Sequence, residues 1–149
     1  MSELSAESSA ASFGAGWKVP DVLREPVDGR PRIVCICGST RFRDEMADAN
    51  RWLTLAGAIV VAPAVFQHRG DVIAEEQKEG LDALHLRKID LADAVFVVDP
   101  GGYVGESTSR EIAYAESHGT PVVRLSALAE AVLDRALPAG GLERPSSPT

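Results

Sequence analysis

The fold class the sequence predicts is α/β: an open, mainly parallel sheet with helices on both faces, of the Rossmann or flavodoxin-like kind. Three observations predict it. Short apolar runs alternate with helical patterns between 32 and 125, the signature of parallel strands joined by helical crossovers. The first run, Ile33-Val34-Cys35-Ile36-Cys37, is apolar throughout instead of alternating, as strands covered on both faces are. Most of the runs end in clusters of Gly, Pro, Ser or Thr that stop a strand and start a turn.

Taken in order, the first strand spans 33–37 and ends in Gly38-Ser39-Thr40. A helix follows over 43–56, with Met46, Ala49, Leu53 and Ala56 facing inward and Gly57 as its stop. The second strand is 58–62. Residues 63–80 are polar and punctuated by glycine, and read as a long loop of the size that carries function or moves. A helix over 81–91 turns Leu84 and Ile89 inward, and the third strand, 94–98, closes on Asp99-Pro100-Gly101-Gly102. The pattern ends with a helix over 108–118 stopped by Gly119, a fourth strand at 121–125 and a last helix at 128–137. Residues 1–31 read as a tail and a segment along the domain edge without regular structure, and 138–149 as a second tail rich in Pro, Gly and Ser. The domain proper is 32–137.

The 149 residues make one ordinary domain, 45% hydrophobic, with 15 Lys plus Arg against 22 Asp plus Glu. The resulting charge of -7 repels a phosphate polymer and argues against nucleic acid as a partner, while leaving small phosphorylated ligands open. No run approaches the roughly 18 apolar residues of a membrane span, and the start of the chain lacks a signal pattern, so a cytoplasmic location is expected. Cys35 and Cys37 share one strand face, where backbone geometry disfavours a disulfide; they read as small core residues, with metal binding a remote alternative. The three histidines lack the paired spacing of a zinc motif, so neither metal nor cofactor is expected.

Ligands of an open parallel sheet bind beyond the carboxyl ends of its strands. Three clusters lie there. Gly38-Ser39-Thr40-Arg41 offers a backbone open to close approach, hydroxyls and a positive charge for an anion; a tight turn capped by Ser or Thr explains it equally well. It is neither a Walker loop nor a dinucleotide fingerprint. Pro100 to Glu111 joins a strand end to a helix start, where Gly102, Gly105, Ser107, Thr108 and Ser109 could cradle a phosphate or carboxylate. Glu111 has a bland reading as well: in Thr108-x-x-Glu111 it would be the capping-box glutamate bonding back to the Thr108 amide. The third cluster is His68, Arg69 and Asp71 in the long loop, with His85, Arg87 and Lys88 on the next helix. His85 sits beside the apolar stripe as a boundary residue, and Arg87 and Lys88 mark a solvated face. Trp52 and Phe42 read as packing.

Three stretches together resemble the nucleoside 2-deoxyribosyltransferase superfamily. They are Gly38-Ser39-Thr40-Arg41-Phe42, Ala92-Asp93-Ala94-Val95-Phe96-Val97-Val98, and Glu111-Ile112-Ala113-Tyr114-Ala115 followed by Gly119-Thr120-Pro121-Val122. The similarity covers about 32–125. It implies that Glu111 is the nucleophile that attacks the anomeric carbon of a nucleoside or nucleotide; Thr108 matches the superfamily's threonine and Ser107 replaces its glycine. Breaking an N-glycosidic bond builds positive charge on the sugar, which a carboxylate stabilises or captures covalently. A 5'-phosphate held by Ser107 and Ser109 with Ser39 and Arg41 would orient the sugar, favouring a nucleotide. The resemblance also implies a homodimer or larger assembly.

One departure stands out. Superfamily members carry an aspartate where this chain has His85, which at a reference pKa of about 6.5 can donate a proton near neutral pH. Asp82 and Asp90 are alternative carboxylates on the same helix. Two rival functions remain. Pro100-Gly101-Gly102 followed by Thr108 to Glu111 also resembles the motif of cytokinin-activating nucleotide phosphoribohydrolases, with a spacing two residues longer. The other rival is a nucleotide-binding sensor without activity, in which Glu111 caps its helix or bonds a ribose hydroxyl.

Overall fold

The computed structural model describes residues 16–63 and 72–136. Four parallel strands lie in the order β2-β1-β3-β4: β1 (Ile33–Gly38), β2 (Ile59–Val61), β3 (Ala94–Val98) and β4 (Val122–Arg124). The central pair is β1 and β3, in register from Val34 opposite Ala94 to Gly38 opposite Val98. The helices are α1 (Asp21–Arg24), α2 (Arg43–Leu55), α3 (Glu75–Leu91), α4 (Glu106–Ser117) and α5 (Leu125–Ala136). This is the Rossmann-like α/β architecture expected from the alternating pattern.

Period-two alternation divides the apolar runs between two cores. Val34, Ile36, Ala94, Phe96 and Val98 point to one face, where Met46, Ala49, Trp52 and Leu53 of α2 cover them together with Leu125. Cys35, Cys37, Val95 and Val97 point to the other, under Ile89 of α3 and Ile112 and Ala115 of α4. Both faces are therefore helix-covered, which is why β1 and β3 carry no exposed polar position. No helix among the described residues is long and apolar enough to cross a membrane.

Several local expectations need correction. The segment before β1 is not confined to the edge: it forms the short α1 and buries Val19 and the whole of Leu23 in the first core, where α1 lies against β3. The Trp52 indole donates to the Trp17 carbonyl at 2.9 Å and ties this segment to α2. α3 starts at Glu75, well inside the stretch expected to be loop. Gly80 made that stretch look broken, yet a single interior glycine costs only about 1 kcal/mol, and the Glu, Gln and Lys around it favour helix. The Gln77 side chain also accepts from the Ala74 amide, satisfying a donor at the helix start. α5 follows β4 without a gap at Leu125. There the buried Asp99 carboxylate accepts from the Ser126 amide at 2.9 Å and the Ser126 hydroxyl at 2.8 Å, anchoring the helix start to the end of β3.

At the opposite end of the sheet, Arg30 forms a bidentate pair with Asp93 at 2.7 and 2.9 Å, and the Ile33 amide donates to the same carboxylate. The hydrogen bond from Arg30 is the main reason the Asp93 pKa falls to about 2. This pairing joins the entrances of β1 and β3, which the chain separates by a full β-α-β-α passage.

Candidate functional site

A cavity of about 570 Å³ opens at the carboxyl ends of β1 and β3. Gly38, Ser39 and Thr40 form one wall, Gly105, Ser107 and Thr108 the next, and Asp82, His85 and Lys88 of α3 the third, with Glu111 between them. The fold explains this convergence. Strands β1 and β3 end side by side, and the turns that leave them diverge to opposite faces, leaving a crevice between the starts of two helices.

Each wall has a local cause. Gly38 is required by close approach: a β carbon there would sit 2.9 Å from the Val98 carbonyl oxygen of the neighbouring strand. The Ser39 hydroxyl accepts from the Arg41 amide at 3.3 Å, so the capping reading of this serine holds, and its own proton stays free to donate. After β3, Gly101 and Gly102 take φ of +65° and +85°, turning the chain back toward α4. Gly105 is the N-cap of α4, and the first amides of that helix have no intrahelical acceptor. The residues that carry them line the cavity, at the positive end of the helix dipole.

The early start of α4 decides how Glu111 is used. Because the helix begins at Glu106, Thr108 lies inside it and Glu111 falls in its second turn, so the expected capping box does not form. Glu111 Oε2 instead lies 3.7 Å from His85 Nε2. His85 is likewise not a boundary residue: it is 7% exposed on the buried face it shares with Ile89 one turn later, while Leu84, expected inward, is 52% exposed. Lys88, expected on a solvated face, is half-buried and donates to the Ala62 carbonyl at 2.9 Å, linking α3 to the end of β2.

Beneath Glu111, His85 Nε2 also meets Cys37 Sγ at 3.3 Å and Cys35 Sγ at 3.8 Å. The two thiols are thus more than core filler. Their different surroundings split their acidity: the hydrogen bond from Cys37, aided by His85, brings the Cys35 pKa down to about 6 against the opposing effect of burial. The same hydrogen bond, with burial, pushes Cys37 up. Burial pulls the His85 imidazole toward neutrality, but Cys35 and Glu111 outweigh it and the net direction is up. Burial raises Glu111, only partly opposed by the neighbouring His85. Cys35, Cys37 and His85 present donor atoms within 4.8 Å of one another, a donor set that histidine spacing could not reveal because it joins one strand to a helix about fifty residues later.

Of the residues singled out from sequence, Gly38, Ser39, Thr40, His85, Gly105, Ser107, Thr108 and Glu111 line the cavity. Arg41, Gly102 and Ser109 do not. Arg41 holds its guanidinium 4.2 Å over the Tyr103 ring, and Ser109 is exposed on the outer side of α4. His68, with Arg69 and Asp71, lies outside the described residues. Asp82, weighed from sequence as an alternative carboxylate, and Lys88, read there as a solvated face, also line the cavity, as does Lys78, which the sequence did not single out. Comparisons with family models, curated proteins and solved structures find no match to this chain.

Proposed function

We propose that the protein cleaves or transfers at the N-glycosidic bond of a nucleotide or deoxynucleoside, with Glu111 as the nucleophile. The observation that carries the reading is the orientation of Glu111. Its carboxylate is released from helix capping and held beside His85 in a cavity walled by hydroxyls and by the start of α4. A volume of about 570 Å³ is within the usual range for a small-molecule site.

In this reading the Ser39 and Ser107 hydroxyls and the first amides of α4 take the 5'-phosphate, and the sugar lies over Glu111. The C1'–N bond breaks with its electron pair leaving on the base, which takes a proton from an acid at the cavity wall or from water. A Glu111 oxygen bonds to C1', and water or a second base then displaces the glutamate. Asp82, one turn before His85, lines the same cavity and is placed to bond sugar or base. His85 acts as a positioning residue: its imidazole, 3.7 Å from the half-buried Glu111 carboxylate, holds that carboxylate aimed.

The test is chromatographic detection of free base across nucleosides and their monophosphates, with the wild type beside Glu111→Ala. Removing a unit charge about 4 Å from a developing oxocarbenium costs about 4 kcal/mol at an effective dielectric constant near 20, or about a thousandfold in rate. Monophosphates should be preferred, and the intact mass of the wild type should reveal a glycosyl adduct that the variant lacks. Base release unaffected by Glu111→Ala would remove the nucleophile. Nucleotide binding without base release from any substrate would favour a sensor.

A further inference from the structure

We infer that Cys35, Cys37 and His85 form a site for a thiophilic divalent cation of the zinc type, with its open coordination position toward the cavity beside Glu111. This does not depend on the reaction proposed above.

The argument starts from one nitrogen. His85 Nε2 carries either one proton or one lone pair, so it can complete only one good hydrogen bond. Three groups converge on it: Cys37 Sγ at 3.3 Å, Cys35 Sγ at 3.8 Å and Glu111 Oε2 at 3.7 Å. A proton on Nε2 serves one of them, whereas a cation bound to this nitrogen takes both sulfurs at once and leaves Glu111 beside its open position. The chemistry of the set is selective. Two sulfurs and an imidazole suit zinc and not magnesium or calcium, which take oxygen ligands.

The spacing fits as well. Bonds of about 2.3 Å to sulfur and about 2.0–2.1 Å to nitrogen, at a tetrahedral angle, place sulfur and nitrogen about 3.5 Å apart. The observed separations of 3.3 and 3.8 Å bracket that value, and all three donor atoms lie within 4.8 Å of one another. The backbone supplies the arrangement: residues two apart on β1 present both thiols to one face, and α3 lays His85 across them. Both cysteines are fully buried and His85 nearly so, while His85 also lines the cavity. The three protein ligands therefore come from the dry side and the fourth position faces the open one, the plan of a site that keeps one position for water or substrate. Any thiol proton lost on binding goes to solvent.

The full chain, kept reduced and stripped by a chelator, is titrated with zinc against a chromophoric competitor and separately with cobalt(II). The expected result is one cation per chain, with the strong visible bands of tetrahedral cobalt and a thiolate-to-cobalt charge-transfer band. Cys35→Ser, Cys37→Ser and His85→Ala should each weaken zinc by roughly a hundredfold or more, since even outer-shell changes cost 10–100-fold. Circular dichroism establishes that each variant is folded. Glu111→Gln should retain one cation, because three ligands hold it without that carboxylate. X-ray absorption on wild-type zinc protein supplies a readout that needs no variant: two sulfur neighbours at about 2.3 Å and one nitrogen at about 2.0–2.1 Å. No stoichiometric uptake, a shell without sulfur, uptake unchanged in folded Cys37→Ser, or its loss in Glu111→Gln would each overturn the site.

Discussion

Gly38→Ala is the substitution whose effect follows most directly from the coordinates. The glycine lies in β1 with ordinary extended backbone, so alanine adds no conformational strain there and the change isolates clearance alone. An alanine β carbon would stand 2.9 Å from the Val98 carbonyl oxygen, 3.4 Å from Val98 Cβ and 3.5 Å from the Met46 sulfur. The methionine can swing away, but the carbonyl belongs to β3 and is Gly38's own register partner. Restoring an ordinary contact requires β1 and β3 to part by roughly half an ångström where they form the cavity floor. Overpacking of this kind costs about 1–3 kcal/mol. The stiffer unfolded chain returns about 0.4–1 kcal/mol, leaving a net loss of about 1–2 kcal/mol. For a domain of this size that lowers the melting temperature by roughly 4–8 °C. Urea unfolding followed by the fluorescence of Trp17 and Trp52 measures it, and calorimetry with a nucleoside monophosphate measures the accompanying loss of affinity. A variant as stable as the wild type, with unchanged binding, would refute the clearance argument.

Three further outcomes are expected. Asp99→Ala should cost about 3 kcal/mol in urea unfolding, because the substitution strips the part-buried amide and hydroxyl of Ser126 of their charged partner; Ser126→Ala, which keeps the amide bond, should cost about 1 kcal/mol. Leu23→Ala should cost about 2–4 kcal/mol, since the side chain is fully buried; a loss below about 0.5 kcal/mol is what a loose tail would give. The Asp93 pKa is lowered from an unfolded value near 3.9 to about 2. Its stabilisation is therefore fully present above about pH 4 and is lost as pH falls through about 2. Urea midpoints taken across that window should fall more steeply for the wild type than for Arg30→Ala, and parallel curves would deny the pair its role.

What the sequence disclosed and what it hid have physical reasons. β1 and β3 were legible because strands buried on both faces must be apolar at nearly every position, and their short length, β-branched residues and flanking glycine or proline turns set them apart from buried helix. The helix starts were harder. Gly80 interrupts α3 in composition but not in structure, and Gly105 caps α4 two residues before the hydroxyl-rich stretch that looked like its beginning. That small offset changed the meaning of Glu111, from a residue that bonds its own backbone to one that faces His85. The position of His85 was misread for a related reason. The more apolar Leu84 was assigned to the interior, although Ile89 shares its face with the residue four before it and not five. The partnership of the cysteines with His85 was out of reach, since nothing local on β1 announces a side chain from α3. The buried Leu23 escaped notice because its four-residue helix is too short for any period to register.

The outermost strands have a consequence for how copies of this protein meet. Among the described residues β2 and β4 each contribute only three, against six and five in the interior pair, and β4 runs straight into a helix. A foreign strand laid along either rim would find roughly 10 Å of ladder to template on, too little for amyloid-like accretion to gain a footing. Molecules sharing a net charge of -7 are held apart as well, so crowding alone should not convert this sheet into a seed.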